Sequence, residues 1–497
     1  MKYQSTRNKN LRLDSAETIL KGLSDDGGLF VPVEIPKLEA GELSELSKLD
    51  YCERAKRVFG KFMTDFSEDE LLECAEKAYG DNFEGERPTK MVKIGDNVYM
   101  LELWHGPTCA FKDMALQILP HFLVKSAKKA GDGKKTVILT ATSGDTGKAA
   151  LEGFCDVEGT EIIVFYPQNG VSKIQKLQMQ TQKGENVAVC GVFGNFDDTQ
   201  TAVKKIFTDS EIRNRLSENG KSFSSANSIN VGRLLPQVVY YISSYADLIA
   251  NGEITDGEIV NVTVPTGNFG NILAAYYAKR MGVPFGKLIC ASNANNVLTE
   301  FLSTGRYSVN REFYLTESPS MDILVSSNLE RLIFELCEKD DEYIKSVMES
   351  LREHGEYSVP DEMLVKIKEH FSAGYTDDNG AEKRIKTMFE KYAYLCDTHT
   401  AVAVEVYEKY KEETGDNTKT IIASTASPYK FPRAVLKSVA DKDTADDFEA
   451  AMKIEKISKM AMPNQLRSLS EKEPRFTFAC EREEMADFVL STVGGDS

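Results

Sequence analysis

Three times along this chain a β-branched run ends in a glycine- or serine-rich turn and gives way to a helical stretch. No other feature limits the fold as tightly. The run KKTVILTAT (134–142) meets the turn SGDTG, then the helical KAALEGFCDV and a further run, TEIIVFYP. The order returns at EIVNVTVPT (258–266), GNFGN, ILAAYYAKRMG and KLICASN. It closes with TKTIIAST (418–425), ASPYKFP and a helix from Arg433. Strands alternating with helices predict an α/β fold of parallel sheets flanked by helices. Ligands of such sheets bind at the carboxyl ends of strands, where these turns fall.

The flanks have other patterns. Residues 1–95 carry the helical DSAETILKGL and SEDELLECAEKAYG around DDGGLFVPVEIPKL, which predicts a helical or mixed N-terminal domain. The α/β core takes 96–327 and 396–435 as two subdomains. Residues 328–395 are charged and helix-periodic, as in EYIKSVMESLREHGEY, and are expected as a helical insertion with a solvated face. Residues 436–497 are expected as a helical C-terminal segment.

At 497 residues the chain has material for two or three domains. Its formal charge of −17 opposes nucleic acid and acidic membranes, so an anionic ligand must meet locally placed donors. No apolar run reaches the roughly 18 residues of a membrane span, and the N-terminus lacks the apolar core of a signal peptide. The nine cysteines are scattered without a C-x-x-C pair, which points to reduced thiols in a cytoplasm and away from zinc. The five histidines form no H-E-x-x-H, so no metal is expected. G-x-S-x-G and the P-loop pattern are absent as well.

Three stretches carry chemistry. In HGPTCAFKDMALQ (105–117), Lys112 follows Ala110 and Phe111, where a cation either snorkels to water or serves as a less protonated amine. In GNFGN (267–271), the glycines allow a tight turn into a helix whose positive end suits a phosphate, and a structural β–α turn is the plainer alternative. In TSGDTG (142–147), Thr142, Ser143 and Thr146 offer hydroxyls for a substrate carboxylate, or an ordinary helix cap. Together, a desolvated lysine, a phosphate cradle and a carboxylate cradle fit pyridoxal 5'-phosphate, whose aldehyde condenses with an amine.

HGPTCAFKD, TATSGDTG, VPTGNFGN and STASPYKF resemble the motifs of the threonine synthase family in order and spacing. The resemblance takes in STR (5–7), GLSDDGGLFVP (22–32), GNFDDTQTAVKKIF (194–207) and SSANSINVGRLLPQ (224–237). It implies a fold type II pyridoxal-phosphate enzyme, similar to the tryptophan synthase β chain, that makes L-threonine and phosphate from O-phospho-L-homoserine and water. Lys112 would then bind the cofactor covalently, and Gly267, Asn268, Phe269, Gly270 and Asn271 would hold its phosphate. Thr425 would meet the pyridine nitrogen, Asp145 would lie near the phenolic oxygen, and Ser143 and Thr146 would bind the substrate carboxylate. Arg233 is the first choice for the leaving phosphate, with Lys173 or Lys176 next.

Two positions depart from the family: Ser427 stands where histidine is usual, and Tyr429 where a small residue is usual. Ser427 before Pro428 also suits a helix start. His399 is read as packing or capping. A related lyase that releases a 2-oxo acid is the nearest rival function. A cofactor-binding protein without catalysis and a nicotinamide oxidoreductase are weaker ones, against Lys112 and the incomplete glycine fingerprint respectively. Monomer and dimer both stay open.

Overall fold

The computed structural model describes residues 1–85, 87–131, 133–142, 144–168 and 171–494. Two sheets built mainly of parallel strands organise it. The larger has six strands in the order Phe371–Tyr375, Phe285–Ser292, Val260–Pro265, Thr420–Ser424, Val98–Glu102 and Lys90–Ile94. All its pairings are parallel except the last, an antiparallel hairpin. The second has five parallel strands, ordered Ala479–Cys480, Val187–Val192, Thr160–Pro167, Lys135–Ala141 and Lys221–Ser224. Val260–Pro265 and Thr420–Ser424 are buried along their whole length. Central parallel strands are covered on both faces, so they read as unbroken β-branched runs.

The helix Val231–Ala250 packs between the core and the N-terminal helices, against Gly270–Met281 and Tyr51–Phe62. It is buried on every side from Val231 to Leu248, and its hydrophobic residues extend around its circumference accordingly. One continuous core joins Phe59, Phe62 and Tyr79 of the N-terminal helices to Ile138, Val262 and Leu288 of the two sheets. A second core lies around Ile289, Ile422, Tyr429 and Ile454 and seats the C-terminal segment. Each such aliphatic side chain contributes roughly 1.5–3 kcal/mol on burial.

The expected flanks need three corrections. Residues 328–395 are helical for most of their length, yet Phe371–Tyr375 pairs in parallel with Phe285–Ser292 at the edge of the large sheet. The C-terminal segment likewise adds Ala479–Cys480 to the second sheet, where the Cys190 and Cys480 sulfurs lie 3.4 Å apart. The boundary at residue 95 falls inside the Lys90–Ile94 and Val98–Glu102 hairpin, so it separates two strands that pair with each other. Among the described residues no helix is long and apolar enough to cross a membrane.

Candidate active site

Lys112 is placed by a short antiparallel crossing of two motifs. Ala110 bridges Ala426, the Phe111 amide donates to the Thr425 carbonyl at 2.8 Å, and the Ser427 amide donates to the Cys109 carbonyl at 3.0 Å. Asp113 folds the preceding loop by accepting from the Thr108 amide (2.8 Å) and hydroxyl (2.6 Å). Lys112 therefore stands beside Thr425 with a side chain only 12% exposed. Its Nζ lies 3.4 Å from Ser320 Oγ, 3.9 Å from Asp145 Oδ2 and 4.9 Å from the Phe111 ring centroid. Burial lowers its pKa, Asp145 opposes that, and Lys430 and Arg233 lower it further. The solvent-reaching alternative for Lys112 is thus corrected: the amine is inside.

The TSGDTG turn divides its expected duties. Thr142 Oγ1 accepts from the amides of Gly144 (3.0 Å) and Gly147 (2.9 Å). The Thr142 hydroxyl also donates to the Gly144 carbonyl at 3.2 Å, so here it braces the turn from within. Gly144 has φ +142°, which favours glycine, and a Cβ there would also lie 2.4 Å from Gln175 Nε2 and displace that side-chain amide. Ser143 lies outside the described residues. Thr146 is half-buried, and its hydroxyl makes no hydrogen bond to a described residue. Asp145 accepts from Lys430 at 2.7 Å and from Gln175 Nε2 at 3.1 Å. Burial would raise its carboxyl, but Lys430 and then Lys112 outweigh that and hold it well below the usual carboxylate range.

The GNFGN turn starts the helix Gly270–Met281, and no side chain caps that helix. The left-handed residue is Phe269, at φ +62°, and neither glycine has positive φ. Gly267 is needed for close approach instead, since a Cβ would stand 2.7 Å from the Ser320 carbonyl oxygen. At Gly270 a Cβ would make only ordinary contacts, the nearest at 3.4 Å to Asn328 Nδ2. Among the described residues nothing within the chain requires glycine there. The Phe269 ring is buried against Phe371, so it is the backbone of this residue that faces any ligand. Ser326 Oγ donates to the Gly267 carbonyl (2.8 Å), and Asn328 donates to the Asn268 carbonyl through its amide (3.2 Å) and Nδ2 (2.9 Å). Arg331 holds Asn328 in turn, and also bonds the Phe30 and Ile229 carbonyls. With its carbonyls tied back, the loop presents amides and a helix start, as an anion requires.

Arg233 lies near the start of Val231–Ala250, which Asn230 caps by accepting from the Gly232 amide at 2.9 Å. Its guanidinium is buried, donates from one Nη to the Ala226 carbonyl at 2.6 Å, and leaves Nε without a partner. No described carboxylate pairs with it, and burial pulls its pKa down to about 10, still high enough to stay charged at neutral pH. Asn271 also has an orphan: Tyr240 and Tyr241 donate to its Oδ1, and Nδ2 is unpaired. Lys173 is on the surface in an ion pair with Asp446, and Lys176 donates to the Gln168 carbonyl at 3.4 Å.

His399 does more than pack. Asp397 holds its Nδ1 at 2.7 Å, and its Nε2 accepts the Ser320 amide at 3.1 Å, so it fixes the turn whose hydroxyl meets Lys112. Ser427 caps the one-turn helix Pro428–Lys430, as expected from Ser-Pro. Tyr429 points away from the site and donates to the Met460 carbonyl, anchoring the C-terminal segment. The sequence reading did not single out Ser320, Ser326, Asn328, Arg331 or Lys430. For Lys430 a signal existed: like Lys112, it sits in a motif among apolar residues.

A family model described as pyridoxal-phosphate dependent enzyme matches residues 83–425, which sets the class of this cleft. Models described as threonine synthase N terminus and threonine synthase, C-terminal match residues 2–79 and 400–489. The chain belongs to the threonine synthase family. It is 41% identical to human threonine synthase-like 1 over 86% of its own length, a match spanning 58% of that relative. Threonine synthase of Eremothecium gossypii is 35% identical, over 96% of this chain and 94% of the relative. The crystal structure of PLP-bound threonine synthase from Brucella melitensis superposes with a TM-score of 0.88, at 34% identity and 99% coverage of both chains.

Proposed function

We propose that this chain is a threonine synthase, converting O-phospho-L-homoserine and water to L-threonine and phosphate with pyridoxal phosphate carried on Lys112. One observation supports the reading above the others: a buried arginine without a counter-ion lies close enough to the buried Lys112 for its charge to bear on that amine. The orphan donors and the unforced glycine at 270 fit an anionic cofactor and an anionic substrate. Pyridoxal phosphate, when bound, supplies an aldehyde for an amine and a ring that withdraws electrons from Cα.

The 267–271 loop would hold the cofactor phosphate, and Thr425, whose hydroxyl makes no hydrogen bond to a described residue, would meet the ring nitrogen. Thr146 would bind the substrate carboxylate. Lys112, desolvated and so more often a free amine, moves protons at Cα and Cβ. Arg233 receives the phosphate leaving from Cγ, and water adds at Cβ. A lyase that ends in a 2-oxo acid is the second reading, since it would use the same lysine and the same cofactor on the same substrate.

The test is Lys112→Ala. The parent should release phosphate and threonine from phosphohomoserine and show a visible band that borohydride bleaches, and the variant should lose both. Oxobutyrate as product would select the lyase. Turnover by the variant at near the parental rate would remove Lys112 from the chemistry.

A further inference from the structure

Lys430 is the second lysine of this cleft, and no part of the reaction above uses it. Its side chain is 0% exposed. It donates to Asp145 Oδ1 at 2.7 Å, to the Thr108 carbonyl at 3.1 Å and to Gln178 Oε1 at 3.1 Å, so an ammonium's three donors are all taken. Gln175 adds a bond to the same Asp145 oxygen. Only Oδ2 of Asp145 is left to face Lys112, and it does so at 3.9 Å, beyond hydrogen-bond range.

As a stability device this is a poor arrangement. Buried ion pairs contribute little net stability, and here two buried lysines face one carboxylate. As a device acting on Lys112 it has a clear effect. The charges bearing on Lys112 are Asp145 from its helix, Lys430 from the Pro428–Lys430 turn, Arg233 from Val231–Ala250 and Asp113 from its own helix. Without Lys430, Gln175 alone would hold Asp145, and the carboxylate's uncompensated charge would hold Lys112 as an ammonium ion, which is no nucleophile.

We propose that Lys430 is a positioning residue for the reacting amine: it occupies Asp145 and balances its charge, so that Lys112 is oriented by that carboxylate without being held protonated by it. The inference rests on Lys112 being the amine that takes the cofactor aldehyde, and it is directed at the state of that amine before any substrate arrives.

Full-length protein freed of cofactor would be titrated with pyridoxal phosphate from about pH 6 to about pH 10, spanning an ordinary and a lowered lysine. The readout is the pH midpoint at which the borohydride-sensitive band forms, which needs no turnover. In Lys430→Met the midpoint should rise by about one pH unit or more, the size expected when a neighbouring charge within 4–6 Å is uncovered. Lys430→Arg should return it to within a few tenths of the parent, because the charge is restored. Adding Asp145→Asn to Lys430→Met should also bring it back, since the uncovered carboxylate is gone. If the methionine variant does not fold, Lys430→Gln, which keeps a donor for the Thr108 carbonyl, takes its place with the same expected shift. A parent that forms the band while the variant forms it with an unmoved midpoint overturns the proposal and leaves the cofactor reading intact. A parent without the band overturns both.

Discussion

Arg233 and Arg331 are both buried guanidinium groups, and they differ in how far their donors are satisfied. Arg331 spends its donors on three fixed acceptors, namely the Phe30 and Ile229 carbonyls and the Asn328 side chain. Arg233 has one bond and an orphan Nε. A buried cation without a counter-ion costs stability, which is what makes Arg233 the residue proposed here to meet the substrate phosphate. Arg233→Met keeps most of the stem and removes the fork. Phosphohomoserine and inorganic phosphate should then bind more weakly, by roughly 2–5 kcal/mol, while cofactor stays bound and the thermal midpoint holds or rises. Phosphate inhibition constants and the visible band measure the two halves. Loss of cofactor with unchanged phosphate inhibition would move Arg233 to the cofactor side.

At the scale of elements, the 267–271 loop, proposed to hold the cofactor phosphate, is shaped from behind by a segment distant in sequence. Ser326 and Asn328 hold two carbonyls that would otherwise turn towards the anion, and Arg331 holds Asn328. Asn328→Ala keeps its backbone bond but frees one side-chain donor and one acceptor. Retention of pyridoxal phosphate should weaken by about 1–3 kcal/mol, the cost of leaving such a group unsatisfied. Equilibrium dialysis of the cofactor against the variant measures it, and parental affinity would reduce Asn328 to packing. The loop itself was legible in GNFGN, and so were the central strands: TEIIVFYP is the strand Thr160–Pro167. Both are written locally, one in turn chemistry and one in a fully buried run. The edge strand Phe371–Tyr375 was not, because FSAGY is short and has Ser, Ala and Gly at its centre, and its pairing comes from the neighbouring strand. Lys430 was missed for a related reason: only the folded chain brings Asp145 and Gln178 to it. Thr142 reads two ways in sequence because a hydroxyl that caps and one that binds occupy the same position.

Across the whole molecule, the N-terminal helices support the catalytic element, and histidine makes that support sensitive to acid. Tyr79, at the end of Glu68–Tyr79, donates to the Met114 carbonyl at 2.6 Å, two residues beyond Lys112. The same helix faces Leu119–Ala130 through Glu73 and Lys125, paired at 2.5 Å, with His121 half-buried beside them. Burial, and then Lys77 and Lys125 against the opposing Glu73, lower the His121 pKa from 6.5 to about 4. The unfolded chain therefore takes up this proton before the folded one does. Stability is fully present above pH 6.5 and is lost as pH falls towards about 4. His121→Gln removes the titration and keeps a polar side chain of similar reach. The unfolding free energy of the parent should fall more steeply than that of the variant between these two pH values, by at most about 3 kcal/mol, with a constant offset above them. Fluorescence-monitored urea unfolding at a series of pH values reads both curves, and parallel curves across that interval would show that His121 carries no acid sensitivity.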